Sequence, residues 1–184
     1  MNQWNEGNVV VGGLPLHFYR TGGADKPTLL LAHGFSDNGL CWTRVAQKME
    51  AEFDLIMVDA RNHGKSGQGI CSSDDLADDL AAVISGLSVA STFALGHSMG
   101  AGTVAGLAAR HPTLVSKIAL EDPPWAENPE VEDEATAEND VKDLKNFSQV
   151  FPICPMKQYW QWVKSSTPSG MMMNFPLGFN PTAR

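Results

Sequence analysis

The amino-acid sequence predicts an α/β fold built on a doubly wound, mostly parallel sheet. Between Thr28 and Leu120, four apolar runs of strand length alternate without a gap with three stretches of helical period. Within that region, a G-x-S-x-G motif centred on Ser98 stands between a short apolar strand and an Ala-rich helix that runs to Arg110. Both observations favour parallel strands joined by helices that cover the two faces of the sheet.

The N-terminal region predicts an opening hairpin. Residues 8–11 and 16–19 are short β-type runs, and Gly12 and Gly13 separate them. A polar connection then leads to Thr28–Ala32, a continuous apolar run of the kind expected for a strand that is buried on both faces.

Two helices and two further strands complete the alternation around the motif. A helix is predicted over residues 41–49 and a buried strand over residues 53–58. The next helix is expected to begin at Ser72 or Ser73, because acidic residues fill the first turn after them. The last strand covers residues 115–120. The buried stripe of the helix before the motif consists of Leu76, Leu80, Val83, Ile84 and Leu87.

The loops that follow the four parallel strands begin at His33, Asp59, Ser98 and Asp122. Ligands of such sheets bind at the carboxyl ends of the strands. We therefore expect these four loops to gather at one edge of the sheet and to form the binding site there.

The turn around Ser98 predicts a nucleophile elbow. Gly96 and Gly100 flank it, because a Cβ at either position would collide with neighbouring backbone. The turn forces Ser98 into a strained conformation that exposes its hydroxyl, while the Met99 N–H lies at a helix N-terminus, where it can face a developing oxyanion. A chance motif in a chain with 17 glycines is the competing interpretation; the flanking strand and helix favour the functional one.

Composition and charge exclude several classes of partner. The 184-residue chain has a formal net charge of −8, so neither nucleic acid nor a membrane surface is an expected partner. Cys41, Cys71 and Cys154 are isolated and odd in number, which indicates a reducing compartment and neither a disulfide framework nor a zinc site. The chain has no apolar run of membrane-spanning length and no signal-peptide pattern, so we expect a cytoplasmic location. No metal or cofactor is predicted.

The composition of the sequence changes after residue 125, which predicts that the chain has two parts. Residues 1–125 form the predicted core, and residues 126–184 form a predicted helical cap or lid. The cap begins with an acidic stretch whose spacing matches no calcium loop, which favours a solvated face. Helices are predicted there over residues 136–148 and 156–164.

Three motifs occur together in the first of these parts: His33-Gly34-Phe35, Asp59-x-Arg61-x-His63-Gly64-x-Ser66, and Gly96-His97-Ser98-Met99-Gly100. In this order and spacing they resemble the α/β-hydrolase superfamily, in particular its esterases, lactonases, C–C hydrolases and non-haem haloperoxidases. The resemblance covers about residues 10–125, and the rest is similar to the start of the helical cap that the family inserts after its sixth strand. It implies an incomplete α/β-hydrolase fold with a serine nucleophile. Ala101, where many relatives have a second glycine, is a small departure.

The resemblance also implies elements beyond these residues. Members of the family normally continue past the cap with two more strands, and the catalytic histidine follows the last of them. None of the five histidines of this chain, His17, His33, His63, His97 and His111, occupies that position. We therefore expect the histidine to come from a complementary C-terminal fragment or from a second copy. The chain is then a piece of a cleaved protein, since Arg184 suits a trypsin-like protease, or a truncated gene product.

Candidate site residues follow from the resemblance and from loop position. The backbone N–H groups of Phe35 and Met99 are the candidate oxyanion hole. His33, Trp125 and Trp160 are candidates for the substrate pocket; the alternatives are a tight turn after a strand for His33 and simple packing for the tryptophans.

Asp122 is the candidate triad acid. In most relatives that acid follows the seventh strand, but haloalkane dehalogenases and some fungal lactonases carry it at the end of the sixth strand, where Asp122 stands. Glu121 is one residue off register and points to the other face. The alternative, of equal weight, is a strand-end aspartate that caps the following turn. Serine at position 98, where dehalogenases have aspartate, argues against dehalogenation.

Two further histidines have simpler interpretations than catalysis. His97 is adjacent to Ser98 on a strained turn, so its side chain is expected to point elsewhere and to support the loop. His63 could pair with Asp59 and Arg61 as an acid–base group, but by resemblance this loop is structural, and we interpret it so.

Two hypotheses of function result. In the first, the chain belongs to a serine hydrolase of carboxylic esters or lactones, in which Ser98 attacks the carbonyl carbon and a histidine from a further segment moves the proton. In the second, motivated by the missing base, the chain is a non-catalytic α/β-hydrolase-like module that binds a ligand or acts as a receptor.

Overall fold

The computed structural model describes residues 4–23 and 25–124, and these residues form one six-stranded sheet with helices on both faces. The strands are β1 Asn5–Val11, β2 Leu14–Arg20, β3 Thr28–Ala32, β4 Asp54–Val58, β5 Thr92–His97 and β6 Val115–Glu121. The helices are α1 Thr43–Met49, α2 Ser73–Gly86 and α3 Met99–Arg110. The predicted cap, with the helices over 136–148 and 156–164, Trp125 and Trp160, lies outside the described residues.

The strand order is β1-β2-β4-β3-β5-β6. The hairpin strands β1 and β2 pair antiparallel with each other, and β2 pairs antiparallel with β4. The remaining pairs, β4 with β3, β3 with β5 and β5 with β6, are all parallel. The predicted fold class, a doubly wound and mostly parallel sheet, is confirmed. Because β4 and β5 lie on opposite sides of β3, the strand order reverses there, and the loops after β3, β4, β5 and β6 meet at one edge.

The core has two layers, one on each face of the sheet. Along β3 the side chains alternate: Leu30 and Ala32 pack with α2 and α3, while Leu29 and Leu31 pack with α1. All four are buried, which explains why this strand has no polar side.

The helix before β4 and the two hairpin strands differ in detail from the sequence prediction. The predicted helix over residues 41–49 is a 3-10 turn over Gly39–Trp42 followed by α1; the Asn38 side chain caps the turn by accepting the Leu40 N–H at 3.0 Å. The hairpin strands are longer than predicted, because backbone pairing extends beyond their apolar residues. The start of α2 is confirmed: Ser72 is its N-cap and forms a reciprocal capping box with Asp75.

Candidate active site

Ser98 occupies the sharp turn between β5 and α3. Its backbone dihedrals, φ 50° and ψ −118°, lie in a region that residues with a side chain rarely adopt. Hydrogen bonds hold the turn from both sides. The Ser98 N–H donates to the Glu121 carbonyl at 2.9 Å, and the Ser98 carbonyl accepts the Ala101 N–H at 2.9 Å. The predicted strained turn is therefore present, and β6 helps to maintain it.

Two glycines make this turn sterically feasible. A Cβ on Gly96 would overlap the carbonyl oxygen of Gly100, and a Cβ on Gly100 would overlap the carbonyl oxygen of Ala32 at the end of β3. Both obstacles are backbone atoms, which cannot rotate away as the end of a side chain can. The predicted reason for glycine at these two positions is confirmed.

The Ser98 hydroxyl is partly exposed, and nothing in the described part of the chain hydrogen-bonds to it. All five histidines lie in that part of the chain, and none of them contacts this hydroxyl through a hydrogen bond. For example, His17 faces the Asp59 carboxylate at 3.2 Å, and His111 faces the Asp78 carboxylate at 2.7 Å. The described residues thus present a serine hydroxyl without a general base.

The imidazole of His33 is buried, with 1% of the residue exposed, and it fixes the loop that follows β3. Its Nδ1–H donates to the Gly34 carbonyl at 2.7 Å, and its Nε2 accepts the Ala60 N–H at 3.0 Å. Burial lowers the pKa of His33 from 6.5 to about 4, so the ring is neutral at neutral pH, as this pair of contacts requires. Both ring nitrogens of His33 are therefore hydrogen-bonded to backbone groups. That His33 lines a substrate pocket stays a prediction.

The contact with His33 also orients the peptide group between Gly34 and Phe35. A trans peptide is planar, with its C=O and N–H on opposite sides, so a Gly34 carbonyl directed at the buried ring turns the Phe35 N–H the other way. That N–H has no acceptor among the described residues. A Cβ built on Gly34 would lie 3.6 Å from the Ser98 Cβ, which places this loop beside Ser98. The oxyanion hole formed by Phe35 and Met99, the first residue of α3, stays a prediction.

The buried carboxylate of Asp59 organises the loop that follows β4. It accepts the Gly39 N–H at 2.7 Å and the Lys65 N–H at 2.8 Å, and the Nδ1 of His17 lies 3.2 Å from it. Gly64 packs so closely that a Cβ there would overlap the carboxylate. Asp59 is thus committed to the structure of the loop, in agreement with the structural interpretation of this motif.

His63 makes no hydrogen bond to Asp59 and instead bridges two loops. Its Nε2 lies 2.7 Å from the Phe35 carbonyl oxygen, and its Nδ1 lies 2.9 Å from the Arg61 carbonyl oxygen. Its ring also packs edge-on against the ring of His33, with 5.1 Å between the centroids. Sequence reasoning missed this bridge, because 28 positions separate His63 from Phe35 and no local pattern links them.

A second contact missed by sequence reasoning joins Arg61 to Asp79 of α2. The Nε and Nη2 atoms of Arg61 donate to the two carboxylate oxygens at 2.6 Å each, and its Nη1 donates to the Ile70 carbonyl at 2.7 Å. The hydrogen bonds that Arg61 donates to the Asp79 carboxylate raise the pKa of Arg61 above its usual value. The sequence signal for this contact is Asp79, an acidic residue on the apolar stripe of α2 between Leu76 and Leu80. Asp79 is only 3% exposed, which indicates a buried partner.

Asp122 follows β6 at the same sheet edge as Ser98. The register of β5 and β6 pairs His97 with Glu121, so Ser98 and Asp122 come next on adjacent strands. Asp122 is exposed, its φ is 46°, and its carboxylate has no hydrogen-bond partner within the described ranges. The sheet register thus brings the backbone of Asp122 close to that of Ser98, and the role of Asp122 as the triad acid stays a prediction.

Residues 4–23 and 25–124 contain no candidate metal site. No group of three or more His, Cys, Asp or Glu side chains is placed there to hold a metal ion. Across the same residues, every helix is too short or too polar to cross a bilayer.

The sequence comparison identifies the family. The family model described as alpha/beta hydrolase fold matches residues 27–174, and the chain belongs to that family. It is 33% identical over 121 residues to N-formylmaleamate deformylase of Pseudomonas putida, an alignment that covers 64% of this chain and 45% of the relative. It is 28% identical over 120 residues to mouse epoxide hydrolase 3, covering 63% of this chain and 33% of the relative.

Solved structures agree with the sequence relatives. A crystal structure of a membrane phospholipase A, described as a bacterial virulence factor, superposes with a TM-score of 0.65 at 29% identity, covering 68% of this chain and 42% of that one. The chain thus spans less than half the length of each of these three relatives.

Proposed function

We propose that this chain is part of a serine hydrolase that cleaves carboxylic esters or lactones by acyl transfer through Ser98. The observation that carries the proposal is the backbone of Ser98, held at φ 50° between β5 and α3 with a hydroxyl that no described residue engages. Backbone strain of this kind persists only where the surrounding structure maintains it, and it clusters at active sites. Membership of the family and relatives named as hydrolases support a hydrolytic reaction.

In the proposed reaction, the Ser98 oxygen attacks the carbonyl carbon of the substrate while a histidine accepts the hydroxyl proton. Negative charge develops on the carbonyl oxygen, and the backbone N–H groups of Phe35 and Met99 stabilise it. The ester C–O bond then breaks, and the alcohol leaves with the proton from the histidine. A water molecule attacks the acyl-serine through the same proton path, which releases the acid and restores the hydroxyl. Asp122 orients the histidine.

The histidine of this mechanism would come from a segment other than the described residues, either a complementary C-terminal fragment or a second copy of the chain. The support is that none of the five histidines hydrogen-bonds to Ser98 and that the deformylase and the epoxide hydrolase are each more than twice as long as the matched region. In the same proposal residues 1–125 are the hydrolase core and residues 126–184 the cap. His33, Trp125 and Trp160 are the proposed residues of the substrate pocket, and the proposed location is cytoplasmic.

The test is hydrolysis of a short-chain chromogenic ester, together with labelling by a serine-directed fluorophosphonate probe. We expect the wild-type protein, assayed together with the segment that supplies the histidine, to hydrolyse the ester and to be labelled, and Ser98→Ala to lose both properties. The matched control is Ser116→Ala, which removes an exposed serine hydroxyl from β6 and should retain both. Equal hydrolysis and labelling of the wild type and of Ser98→Ala would overturn the assignment of the nucleophile.

The second candidate function is non-catalytic ligand binding. The observation that favours it is the Ser98 hydroxyl itself, which has no histidine partner among the described residues. This function predicts that the wild-type chain neither hydrolyses the ester nor reacts with the probe, and that Ser98→Ala leaves ligand binding intact. With the histidine-bearing segment present, the same pair of assays separates the two functions.

A further inference from the structure

We propose that His63 is a positioning residue that holds the Phe35 amide of the oxyanion hole in place; this inference rests on the function proposed above. The His63 side chain reaches from the loop after β4 to the loop after β3, where its Nε2 lies 2.7 Å from the Phe35 carbonyl oxygen. Within the described ranges, no other group hydrogen-bonds to that oxygen. His63 therefore connects the loop after β4 with the loop after β3, which carries Phe35, the candidate oxyanion donor.

The backbone of His63 gives the ring a fixed origin. The His63 N–H donates to the Ala60 carbonyl at 3.0 Å, and the His63 carbonyl accepts the Ser66 N–H at 3.0 Å. The Ser66 hydroxyl in turn donates to the Asp59 carbonyl at 2.6 Å, which ties the turn to the end of β4. Because this turn is tied to the end of β4, the position of the His63 ring is fixed. The ring can therefore restrain the Phe35 carbonyl that it contacts.

Phe35 is consequently held at both of its peptide groups. His33 fixes the preceding group through the Gly34 carbonyl, and His63 fixes the following group through the Phe35 carbonyl. Since a residue has only two soft backbone dihedrals, these two contacts together restrain both of them. The Phe35 N–H then keeps one direction while charge develops on a substrate oxygen, which is the condition for stabilising that charge without reorganisation.

The proton of His63 can be assigned from its neighbours. The Phe35 carbonyl oxygen only accepts, so the contact of Nε2 with this oxygen at 2.7 Å requires an N–H on Nε2. A glutamine side chain places its amide nitrogen near the position of Nε2, whereas the shorter asparagine places it near Nδ1. His63→Gln thus retains a donor for the Phe35 carbonyl and His63→Asn does not, so this pair isolates the one contact.

The experiment measures kcat and KM for the chromogenic ester and, in the same proteins, amide hydrogen exchange of the peptide that covers residues 33–40. We expect His63→Ala and His63→Asn to lower kcat by about 10- to 100-fold with KM within about threefold, because the donor acts on charge present only in the transition state. Exchange of the peptide should be about tenfold faster in both variants. His63→Gln should stay within about threefold of the wild type in all three quantities. The control is His111→Ala, which removes an imidazole bound to Asp78 outside these loops.

The outcomes separate this inference from the function on which it rests. Wild-type exchange rates in His63→Ala would overturn the bridge whether or not the chain is active. Faster exchange with an unchanged kcat, or an equal loss in His63→Gln and His63→Asn, would overturn the positioning role while the hydrolase function stands. If the wild type shows no Ser98-dependent turnover, the proposed function fails, and the exchange data alone decide whether His63 holds the loop.

Discussion

Ser98→Gly should make the protein more stable than Ser98→Ala. Both substitutions remove the hydroxyl, but only glycine is comfortable at φ 50° and ψ −118°. Relief of such strain is worth about 1–3 kcal/mol, and the greater freedom of glycine in the unfolded chain offsets about 0.4–1 kcal/mol of it. The expected net gain over alanine is about 0.5–2 kcal/mol, which for a chain of this length corresponds to about 1–8 °C in Tm.

Urea unfolding followed by circular dichroism and a thermal melt of the same two variants provide the measurement. The control pair is Ser116→Gly and Ser116→Ala in β6, where φ is not positive and the hydroxyl donates to the Thr92 carbonyl at 3.1 Å. Both control variants lose that bond equally, so glycine should be the less stable of the two by about 0.5–1 kcal/mol. The sign of the glycine effect should therefore reverse between positions 98 and 116.

A Ser98→Gly variant that is no more stable than Ser98→Ala, with the control pair behaving as expected, would refute the reasoning. It would show that the turn carries no strain, and the argument from backbone strain to a catalytic serine would lose its basis. Both position-98 variants should also be inactive, so the gain in stability would come with loss of function, as is common at active sites.

Three further predictions concern the surroundings of the turn. Gly100→Ala should lower the free energy of unfolding by about 3 kcal/mol, because the new methyl group overlaps the Ala32 carbonyl; a loss below about 1 kcal/mol in urea unfolding would contradict this. Arg61→Met should cost about 3–5 kcal/mol by leaving the buried Asp79 carboxylate unpaired. The double variant with Asp79→Leu should recover most of that loss, and a double variant as unstable as the single one would argue against it. Burial lowers the pKa of His33 from 6.5 to about 4, so as the pH falls the unfolded chain binds a proton at this residue before the folded chain does. The free energy of unfolding should therefore fall by about 3 kcal/mol as the pH is lowered from 6.5 to 4. His33→Gln, which lacks the titration, should show a correspondingly smaller fall over the same range, and parallel pH profiles would rule the effect out.

Local patterns sufficed for the fold and for the turn that carries Ser98. The apolar runs and helical periods between Thr28 and Leu120 report burial directly, and burial is what defines the strands and helices of a doubly wound sheet. Gly96 was equally readable, because a Cβ there would meet the Gly100 carbonyl within five residues of chain, whereas the obstacle at Gly100 is the Ala32 carbonyl of β3. Features whose cause lies within a few residues are the ones that a single sequence predicts.

Contacts between distant loops could not be predicted in the same way. Asp59 accepts the Gly39 N–H across 20 positions, and Arg61 reaches Asp79 across 18. The sequence places these residues in motifs or on helix faces, but the identity of the partner depends on how α2 and the loops pack on the sheet. A polar residue on an apolar stripe, such as Asp79, signals that a partner exists without saying which one.

The division between local and distant causes also runs through the active site. The conformation of Ser98 is set by its own turn and by one bond to β6, so the motif together with its flanking strand and helix predicts a nucleophile. The direction of the Phe35 N–H, by contrast, depends on two histidines, one adjacent to the loop and one 28 positions away. A G-x-S-x-G motif therefore predicts where a carbonyl is attacked, whereas the stabilisation of the resulting charge depends on tertiary contacts. For that reason we expect substitution of His63 to leave the chain folded but to reduce catalysis.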